Sequence, residues 1–205
     1  HCANILMCLE AGKHVLSEKP MVVNAKQAEQ CIAKAKEKGL FLMEGMWTRF
    51  FPTARAIKAA VQSGAIGKVV SMTASLGFKS EPEFNQRLFL PELAGGALFD
   101  VGIYPALWVT MLLGKPSKVT AQATMCKTGV DEHTFVTLEY PDGAMAHLEA
   151  SFRACLTNEV CGLLNKMTRQ TFAKLATQRE GGRHRGGGRE LIPKTLMAMR
   201  HGAMD

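Results

Sequence analysis

The sequence predicts an α/β protein in which a partial parallel sheet is followed by an α+β domain with a mainly antiparallel open sheet. Three observations predict this class. Helix-like and strand-like segments alternate at the start of the chain, and strand-like runs joined by a tight turn follow one another in its middle. Hydrophobic residues make up 47% and charged residues 21% of the 205 residues, a balance that indicates a globular protein rather than a disordered one.

The N-terminal segment, residues 1–45, alternates helix with strand. Gly12 is a typical helix stop, and Asn24 with Gln27 three residues later forms the capping-box pattern that begins a helix. Parallel strands need a long crossover connection, which a helix supplies. The predicted elements are a helix over 2–11, a strand within 14–20, a helix over 25–38 and a strand over 40–43.

The middle segment, residues 46–153, changes to strands joined by shorter connections. Pro52 stands early in a predicted helix, where its missing N–H is tolerated. The turn 141–143, Pro-Asp-Gly, predicts antiparallel pairing of the strands on either side. The predicted elements are helices over 51–62 and 97–113, strands over 67–78, 117–126, 133–140 and 144–152, and a loop over 79–95.

The last segment, residues 154–205, differs in charge and pattern. It holds nine Lys and Arg against four Asp and Glu, and so carries +5 of the net charge of +7. Regular patterning fades, and the stretch 180–190 is rich in Gly and Arg. We expect a divergent, poorly ordered basic tail, for which an altered reading frame or an alternative exon is one explanation. Its scattered cations without interleaved aromatic residues do not indicate a nucleic-acid binder.

Several classes of protein are not expected. No 18-residue uncharged apolar run is present, so the sequence predicts no membrane span. We find no secretory signal pattern, and the six cysteines include no CxxC pair, so we expect a reducing, cytoplasmic location. The spacing of the Cys and His residues fits no structural zinc pattern, so no metal is expected.

Three segments together form a specific motif. AGKHVLSEKP spans residues 11–20, EGMWTRFFP spans 44–52 and GGALFDVGIYPALW spans 95–108. Glu-Lys-Pro after a strand, combined with Asp-x-Gly-x-Tyr at a later helix, is much more specific than either motif alone. Over residues 1 to about 153 the chain resembles the Gfo/Idh/MocA oxidoreductase family, and within it the dihydrodiol dehydrogenase branch.

The resemblance implies a domain for each segment and a dehydrogenase site between them. Residues 1–45 would be the C-terminal part of a dinucleotide-binding Rossmann domain, and residues 46–153 a substrate and dimerisation domain. Hydride transfer from a carbinol needs a base for the hydroxyl proton. By resemblance Tyr104 is this acid/base and Lys19 lies at the nicotinamide ribose and the substrate hydroxyl. Asp100, one helical turn before Tyr104, bonds the substrate or orients Lys19.

The resemblance also assigns cofactor and substrate contacts. The cofactor-binding residues that it implies are His1, Glu18, Lys19 and Pro20. Trp47 and Phe78 would supply flat ring faces to the substrate pocket. Many sugar dehydrogenases of the family have His where this chain has Tyr104, which favours the dihydrodiol dehydrogenase branch.

Each assignment has a plainer structural alternative. Lys19 would otherwise be a surface lysine, and Tyr104 a buried tyrosine whose hydroxyl has a partner. Asp100 would be a helix N-cap. Core packing is the alternative for the two aromatic residues, and a frayed terminus is the alternative for His1.

The function that the resemblance implies is NADP-dependent hydride transfer, with NAD also possible, to or from the hydroxyl of a trans-dihydrodiol or an aldose such as D-xylose. The family pairs its open sheets, which implies a homodimer. No GxGxxG loop is present, so we expect a chain that is N-terminally incomplete and binds NADP weakly by itself. The alternative is a catalytically inactive, truncated or variant product that retains only the sheet-mediated association surface.

Overall fold

Two sheets organise the chain. The computed structural model describes residues 1–83 and 85–164. A two-stranded sheet lies in the N-terminal unit and a five-stranded sheet in the second unit. The helices are α1 (Cys2–Glu10), α2 (Ala25–Glu37), α3 (Pro52–Gln62) and α4 (Ile103–Leu113). The strands are β1 (Val15–Ser17), β2 (Leu42–Glu44), β3 (Val69–Gly77), β4 (Lys118–Met125), β5 (Asp131–Glu139), β6 (Met145–Ser151) and β7 (Val160–Leu164).

The N-terminal unit has the parallel pairing that its alternating pattern predicts. β1 and β2 run parallel, with Val15 opposite Leu42. The side chain of Asn24 accepts a 2.9 Å hydrogen bond from the backbone N–H of Gln27 and caps α2, as the capping pattern predicts. α1 and α2 pack together around the buried side chains of Ile5, Leu9, Cys31 and Ala35. The carboxyl ends of both strands therefore lie at the same edge.

The five-stranded sheet has the order β4-β5-β6-β3-β7. Its pairs are antiparallel except β3–β6, so the predicted mainly antiparallel sheet is confirmed. The turn 141–143 joins β5 to β6 in the predicted hairpin. The parallel β3–β6 pair was not predicted. It is possible because the long segment between these strands contains α4 and supplies a crossover.

One face of this sheet is covered and the other is open. α3 and α4 pack on the covered face, where Trp108, Val109, Met72 and Leu148 form part of the core. Along β5 the exposed side chain of Phe135 lies between two buried neighbours. This alternation is typical of an antiparallel sheet with a single covered face.

The apolar helix begins with a π-helical turn, Leu98–Gly102, and continues as α4. Oδ2 of Asp131, from β5, accepts a 2.8 Å hydrogen bond from the first backbone N–H of this turn. The helical run Pro91–Leu113 is long and apolar enough to cross a membrane by composition. However, Trp108 and Val109 are buried against the sheet, which is the packing of a core helix.

The sheet extends beyond residue 153, where the sequence suggested that the domain ends. β7 pairs antiparallel with β3, and Val160 stands opposite Ala74. The expectation of a poorly ordered tail from residue 154 is therefore wrong for this strand. A five-residue strand is too short to show a clear period, and Gly162 leaves an inward position without a side chain. The rest of the predicted tail, residues 165–205, lies outside the described residues.

Candidate active site

Lys19 follows β1 closely, at the carboxyl edge of the parallel sheet, where open α/β sheets bind ligands. Its Nζ donates a 2.7 Å hydrogen bond to the backbone carbonyl oxygen of Asp100 and lies 3.3 Å from Oδ1 of the same residue. Only 16% of the Lys19 side chain and 13% of the Asp100 side chain is exposed. Lys19 is therefore not a solvated surface lysine. The Lys19–Pro20 peptide bond is cis.

The first turns of the apolar helix bring Asp100 and Tyr104 to this lysine. Asp100 lies inside the π-helical turn and Tyr104 in the first turn of α4. The Nζ of Lys19 lies 5.1 Å from the centroid of the Tyr104 ring. Since Asp131 caps this helix, the alternative of Asp100 as an N-cap does not hold.

Trp47 contacts the hydroxyl of Tyr104. Its indole Nε1–H donates a 3.2 Å hydrogen bond to Oη of Tyr104, and the two rings meet edge to face with centroids 6.1 Å apart. Trp47 follows β2, so it reaches the site from the same sheet edge as Lys19. A phenol oxygen offers one donor and two acceptor positions, so the O–H of Tyr104 remains available to a ligand. With 49% of its surface exposed, Trp47 is therefore not a core residue.

Arg87 is a member of the cluster that the sequence did not predict. Its Nη2 lies 3.1 Å from Oδ1 of Asp100, the oxygen that also faces Lys19. Arg87 lies within the segment predicted as a loop, in a short 3₁₀ turn, and loops show no periodic signal from which a contact can be inferred. One carboxylate is thus shared by two cations, and the three side chains carry a net charge of about +1.

A cleft of about 730 Å³ opens on one side of the Lys19–Asp100 pair. Its lining includes the four residues that the resemblance assigns to the cofactor, namely His1, Glu18, Lys19 and Pro20. Nδ1 of His1 lies 2.9 Å from the backbone oxygen of Pro20, so His1 is held against the Lys19 loop and is not frayed. Oε2 of Glu18 accepts a 3.3 Å hydrogen bond from the backbone N–H of Lys19.

A second pocket of about 330 Å³ opens on the other side of the pair, and Lys19 and Asp100 line both spaces. Trp47, Phe78 and Tyr104 line this second pocket together with Leu76 and Trp108. Phe78 also packs against Phe152, with ring centroids 5.3 Å apart. The structure therefore brings all the predicted site residues around two adjoining spaces that share the lysine.

The second pocket has further walls that were not predicted as site residues. Thr48 lies within the quoted EGMWTRFFP motif, and its position beside Trp47 was a usable signal. Asn158, Glu159 and Val160 come from the segment before and at the start of β7. They fall beyond the predicted domain boundary, so the sequence offered no signal for them.

The Cys31 thiol lies against Cys2, which lines the first cleft. Burial, together with the Cys2 Sγ at 3.7 Å, raises the pKa of the Cys31 thiol to about 11, so this thiol stays protonated near neutrality. Within residues 1–83 and 85–164, no group of three or more His, Cys, Asp or Glu side chains is arranged to hold a metal ion.

The residues of the first cleft fit the nicotinamide end of a dinucleotide. The ammonium of Lys19 is a donor suited to ribose hydroxyls, and Pro20, Val22 and Val23 offer apolar contacts to a ring. The volume of the cleft is within the range of small-molecule sites, about 300–1,000 Å³.

Comparison with known proteins finds two family matches and a set of similar enzymes. Residues 54–168 match the family described as GFO/IDH/MocA C-terminal domain, and residues 1–46 match the oxidoreductase family with an NAD-binding Rossmann fold. Trans-1,2-dihydrobenzene-1,2-diol dehydrogenase of Sus scrofa is 40% identical over 162 residues, which cover 78% of this chain and 48% of that protein. The enzyme of the same name from Mus musculus is 39% identical over 165 residues, which cover 77% of this chain and 47% of that protein.

Solved structures show the same similarity. A 3-ketoreductase from Actinomadura kijaniata, in complex with NADP and TDP-benzene, matches with a TM-score of 0.69 and 31% identity over 76% of this chain and 48% of that one. An aldose–aldose oxidoreductase from Caulobacter crescentus, complexed with glycerol, matches with a TM-score of 0.70 and 30% identity over the same shares.

The matches cover most of this chain but only part of each relative. The chain spans about half the length of the curated relatives that it matches. The two family matches lie in the order expected for a cofactor domain followed by a substrate domain, and the match to the C-terminal domain, residues 54–168, covers more than half of the chain. The chain belongs to the Gfo/Idh/MocA family of NAD(P)-binding oxidoreductases.

Proposed function

We propose that this site transfers a hydride between a nicotinamide and the hydroxyl carbon of a trans-dihydrodiol or an aldose such as D-xylose. The observation that carries the proposal is the position of Lys19. Its ammonium lies where the two spaces meet, with the Tyr104 ring centroid at 5.1 Å and Asp100 bonded to it. This intact constellation favours an oxidoreductase over the alternative of a product that retains only an association surface.

The side chains of this chain accept and donate the proton that accompanies hydride transfer. In the oxidation direction Tyr104 takes the hydroxyl proton while the carbon loses its hydride, and a carbonyl product forms. In the reduction direction Tyr104 returns that proton to the carbonyl oxygen. A nicotinamide bound in the first cleft supplies or accepts the hydride.

Neighbouring side chains prepare Tyr104 for this role. The ammonium of Lys19 lies where it balances negative charge on the phenolic oxygen during proton transfer. The indole N–H of Trp47 stabilises the same oxygen through its 3.2 Å hydrogen bond. Asp100 holds Lys19 in place, and Arg87 offsets the charge of that carboxylate.

The choice of substrate and cofactor within the family is also part of the proposal. The pocket presents the ring faces of Trp47 and Phe78, which suit a cyclic dihydrodiol or the apolar face of a sugar. The relatives named trans-1,2-dihydrobenzene-1,2-diol dehydrogenase support the diol. The 3-ketoreductase solved with NADP supports NADP, and NAD remains the second choice.

In this proposal, two copies of the chain associate through the open face of the five-stranded sheet. The proposed location of the dimer is the cytoplasm. This face presents Phe135, which is 51% exposed, and Met145, which is 44% exposed. A flat sheet face with exposed apolar side chains favours self-association. Light scattering on a size-exclusion column tests it: we expect a dimer that Phe135→Asp converts to a monomer, and a monomeric unsubstituted chain would contradict it.

Deuteride transfer tests the reaction itself. The chain is incubated with the deuterated substrate and NADP at millimolar concentration, since the sequence contains no GxGxxG loop to strengthen cofactor binding. We expect deuterium in the reduced cofactor, detected by mass spectrometry, with trans-1,2-dihydrobenzene-1,2-diol or D-xylose. No transfer above that of a Tyr104→Phe variant would contradict the proposal.

A further inference from the structure

Two thiols meet where α1 packs against α2. The Sγ atoms of Cys2 and Cys31 lie 3.7 Å apart, although the two cysteines are 29 positions apart in the chain. Cys2 is the first residue of α1, and Cys31 lies in the middle of α2. The two sulfur atoms of a disulfide are about 2.0 Å apart, so a small movement at the end of α1 suffices to join this pair. The fold therefore brings the two thiols within reach of a covalent bond.

The two thiols differ in their access to solutes. Cys31 is fully buried and packs with Leu9 and Ala35 in the core of the N-terminal unit. Cys2 lies at the margin of this core, where it is partly exposed and lines the first cleft. A small solute that enters the cleft can therefore contact Cys2, whereas Cys31 is covered by its neighbours.

The protonation of Cys31 gives the two thiols different roles. Burial raises the pKa of Cys31 to about 11, and the neighbouring Cys2 thiol contributes to the rise. The thiolate is the form of cysteine that oxidants attack readily, so Cys31 is protected from direct oxidation near neutral pH. Its sulfur can still react with an oxidised sulfur in contact with it. An accessible cysteine beside such a resolving cysteine is an arrangement that redox-sensing sites use.

We propose that Cys2 and Cys31 form a reversible redox site, which hydrogen peroxide converts from a dithiol to a disulfide between α1 and α2. The Cys2 sulfur attacks one peroxide oxygen, an S–O bond forms, the O–O bond breaks and water leaves with the thiol proton. The Cys31 sulfur then attacks the Cys2 sulfenic acid. The S–S bond forms, the S–O bond breaks, and hydroxide leaves with the Cys31 proton as a second water. Two thiols lose two electrons, and one peroxide is reduced to two waters.

The disulfide ties one wall of the first cleft to the core of the N-terminal unit. Cys2 follows His1, whose Nδ1 lies 2.9 Å from the backbone oxygen of Pro20. The closed loop, residues 2–31, contains β1 and the segment that carries Lys19. A cross-link that closes a loop restricts the unfolded chain, so the oxidised protein resists unfolding more than the reduced one. Thiol reductants reverse the bond by exchange. The inference does not depend on the proposed hydride transfer.

Mass spectrometry identifies the bond directly. The reduced chain is treated with hydrogen peroxide at neutral pH, free thiols are blocked with N-ethylmaleimide, and the protein is digested with trypsin. Cys2 and Cys8 lie in one tryptic peptide, residues 1–13, so fragment ions assign the sulfur that is joined to Cys31. We expect the Cys2–Cys31 cross-link to exceed any cross-link to the exposed Cys155 about tenfold or more, because neighbouring thiols have a high effective concentration. Dithiothreitol should remove it.

Thermal unfolding measures the effect of the bond on the fold. We expect oxidation to raise the Tm of the unsubstituted chain by about 5 °C or more. Cys2→Ala, at a partly exposed position at the start of α1, should abolish both the cross-link and this rise. Cys155→Ala is the matched control and should retain both.

The outcomes separate this inference from the proposed function. A Cys2–Cys31 cross-link no more abundant than cross-links to Cys155 overturns the redox inference. Oxidation of Cys2 to the sulfinic or sulfonic acid without a cross-link also overturns it, as does a rise in Tm that Cys2→Ala retains. A dominant, reducible Cys2–Cys31 cross-link supports it, and does so even in a chain that transfers no deuteride, where only the proposed function fails.

Discussion

The Nζ of Lys19 and the backbone carbonyl oxygen of Asp100 are joined by a 2.7 Å hydrogen bond between the N-terminal unit and the second unit. The acceptor belongs to the main chain, so it remains when the side chain of Asp100 is changed. The bond connects the edge of the parallel sheet to the π-helical turn that precedes Tyr104. The lysine of one unit is thereby held beside the tyrosine of the other.

Removal of either member of the lysine–tyrosine pair should abolish most hydride transfer. We expect Tyr104→Phe and Lys19→Met each to lower the rate about 10²–10⁴-fold, since a positioned acid/base contributes about that factor. The rate of deuteride transfer at saturating cofactor measures the effect. Lys115→Met, which changes an exposed lysine after α4, is the control and should leave the rate unchanged. A Tyr104→Phe variant with an unchanged rate would contradict the assignment of the proton donor.

Asp100→Ala should destabilise the chain more than the loss of an exposed ion pair does. The substitution removes the carboxylate that the largely buried Lys19 shares with Arg87, whose side chain is 56% exposed. We expect a loss of about 1–3 kcal/mol in the free energy of unfolding. Glu139→Ala removes the exposed pair with Lys118 and should cost less than about 1 kcal/mol. Urea unfolding of both variants checks the difference, and equal losses would show that the Asp100 cluster is only a surface ion pair.

Gly77→Ala should displace the loop that carries Asn158. A Cβ at Gly77 would lie 2.8 Å from both the Leu156 Cγ and the backbone oxygen of Ser151. Since a backbone atom cannot move aside easily, we expect a loss of about 1–3 kcal/mol in unfolding free energy.

Gly162→Ala is the matched control, because it lies in the neighbouring strand β7 and its Cβ would meet no atom closer than 3.9 Å. We expect no more than a small change in the urea midpoint for this control. If both variants lose the same stability, the close approach at Gly77 is not the cause.

Tyr140→Phe should preserve or increase stability at neutral pH and reduce the loss of stability in alkali. The Tyr140 hydroxyl is buried and has no partner among the described residues, and burial raises the pKa of Tyr140 above its usual value. The folded state then holds the proton more tightly than the unfolded state does. The stability that depends on the protonation of Tyr140 is therefore fully present below the pKa of the unfolded state, about 10. It is lost as the pH rises through the higher pKa of the folded state.

Urea unfolding at pH 7 and at pH 10.5 measures this difference between the unsubstituted chain and Tyr140→Phe. We expect a gain of up to about 1 kcal/mol at pH 7, and a larger gain at pH 10.5. A variant that is less stable by a similar amount at both values would mean that the hydroxyl has a partner.

Much of the secondary structure could be predicted from local signals. Asn24 with Gln27 marks the start of α2, and the turn 141–143 marks the β5–β6 hairpin, because caps and tight turns depend on residues close in the chain. β7 was missed, since its short segment has no period of its own and is held by pairing with β3.

The sequence by itself determined the family, the alternation of elements and the choice of Lys19 and Tyr104 as a pair, because these depend on short motifs and local patterning that are read along the chain. Only the tertiary structure decided that Arg87 shares the Asp100 carboxylate and that Thr48 and Asn158 wall the same pocket. The physical reason is that hydrogen bonds and pocket walls depend on distances across the folded chain. The parallel β3–β6 pairing and the return of the chain through β7 set those distances, and no local pattern encodes them.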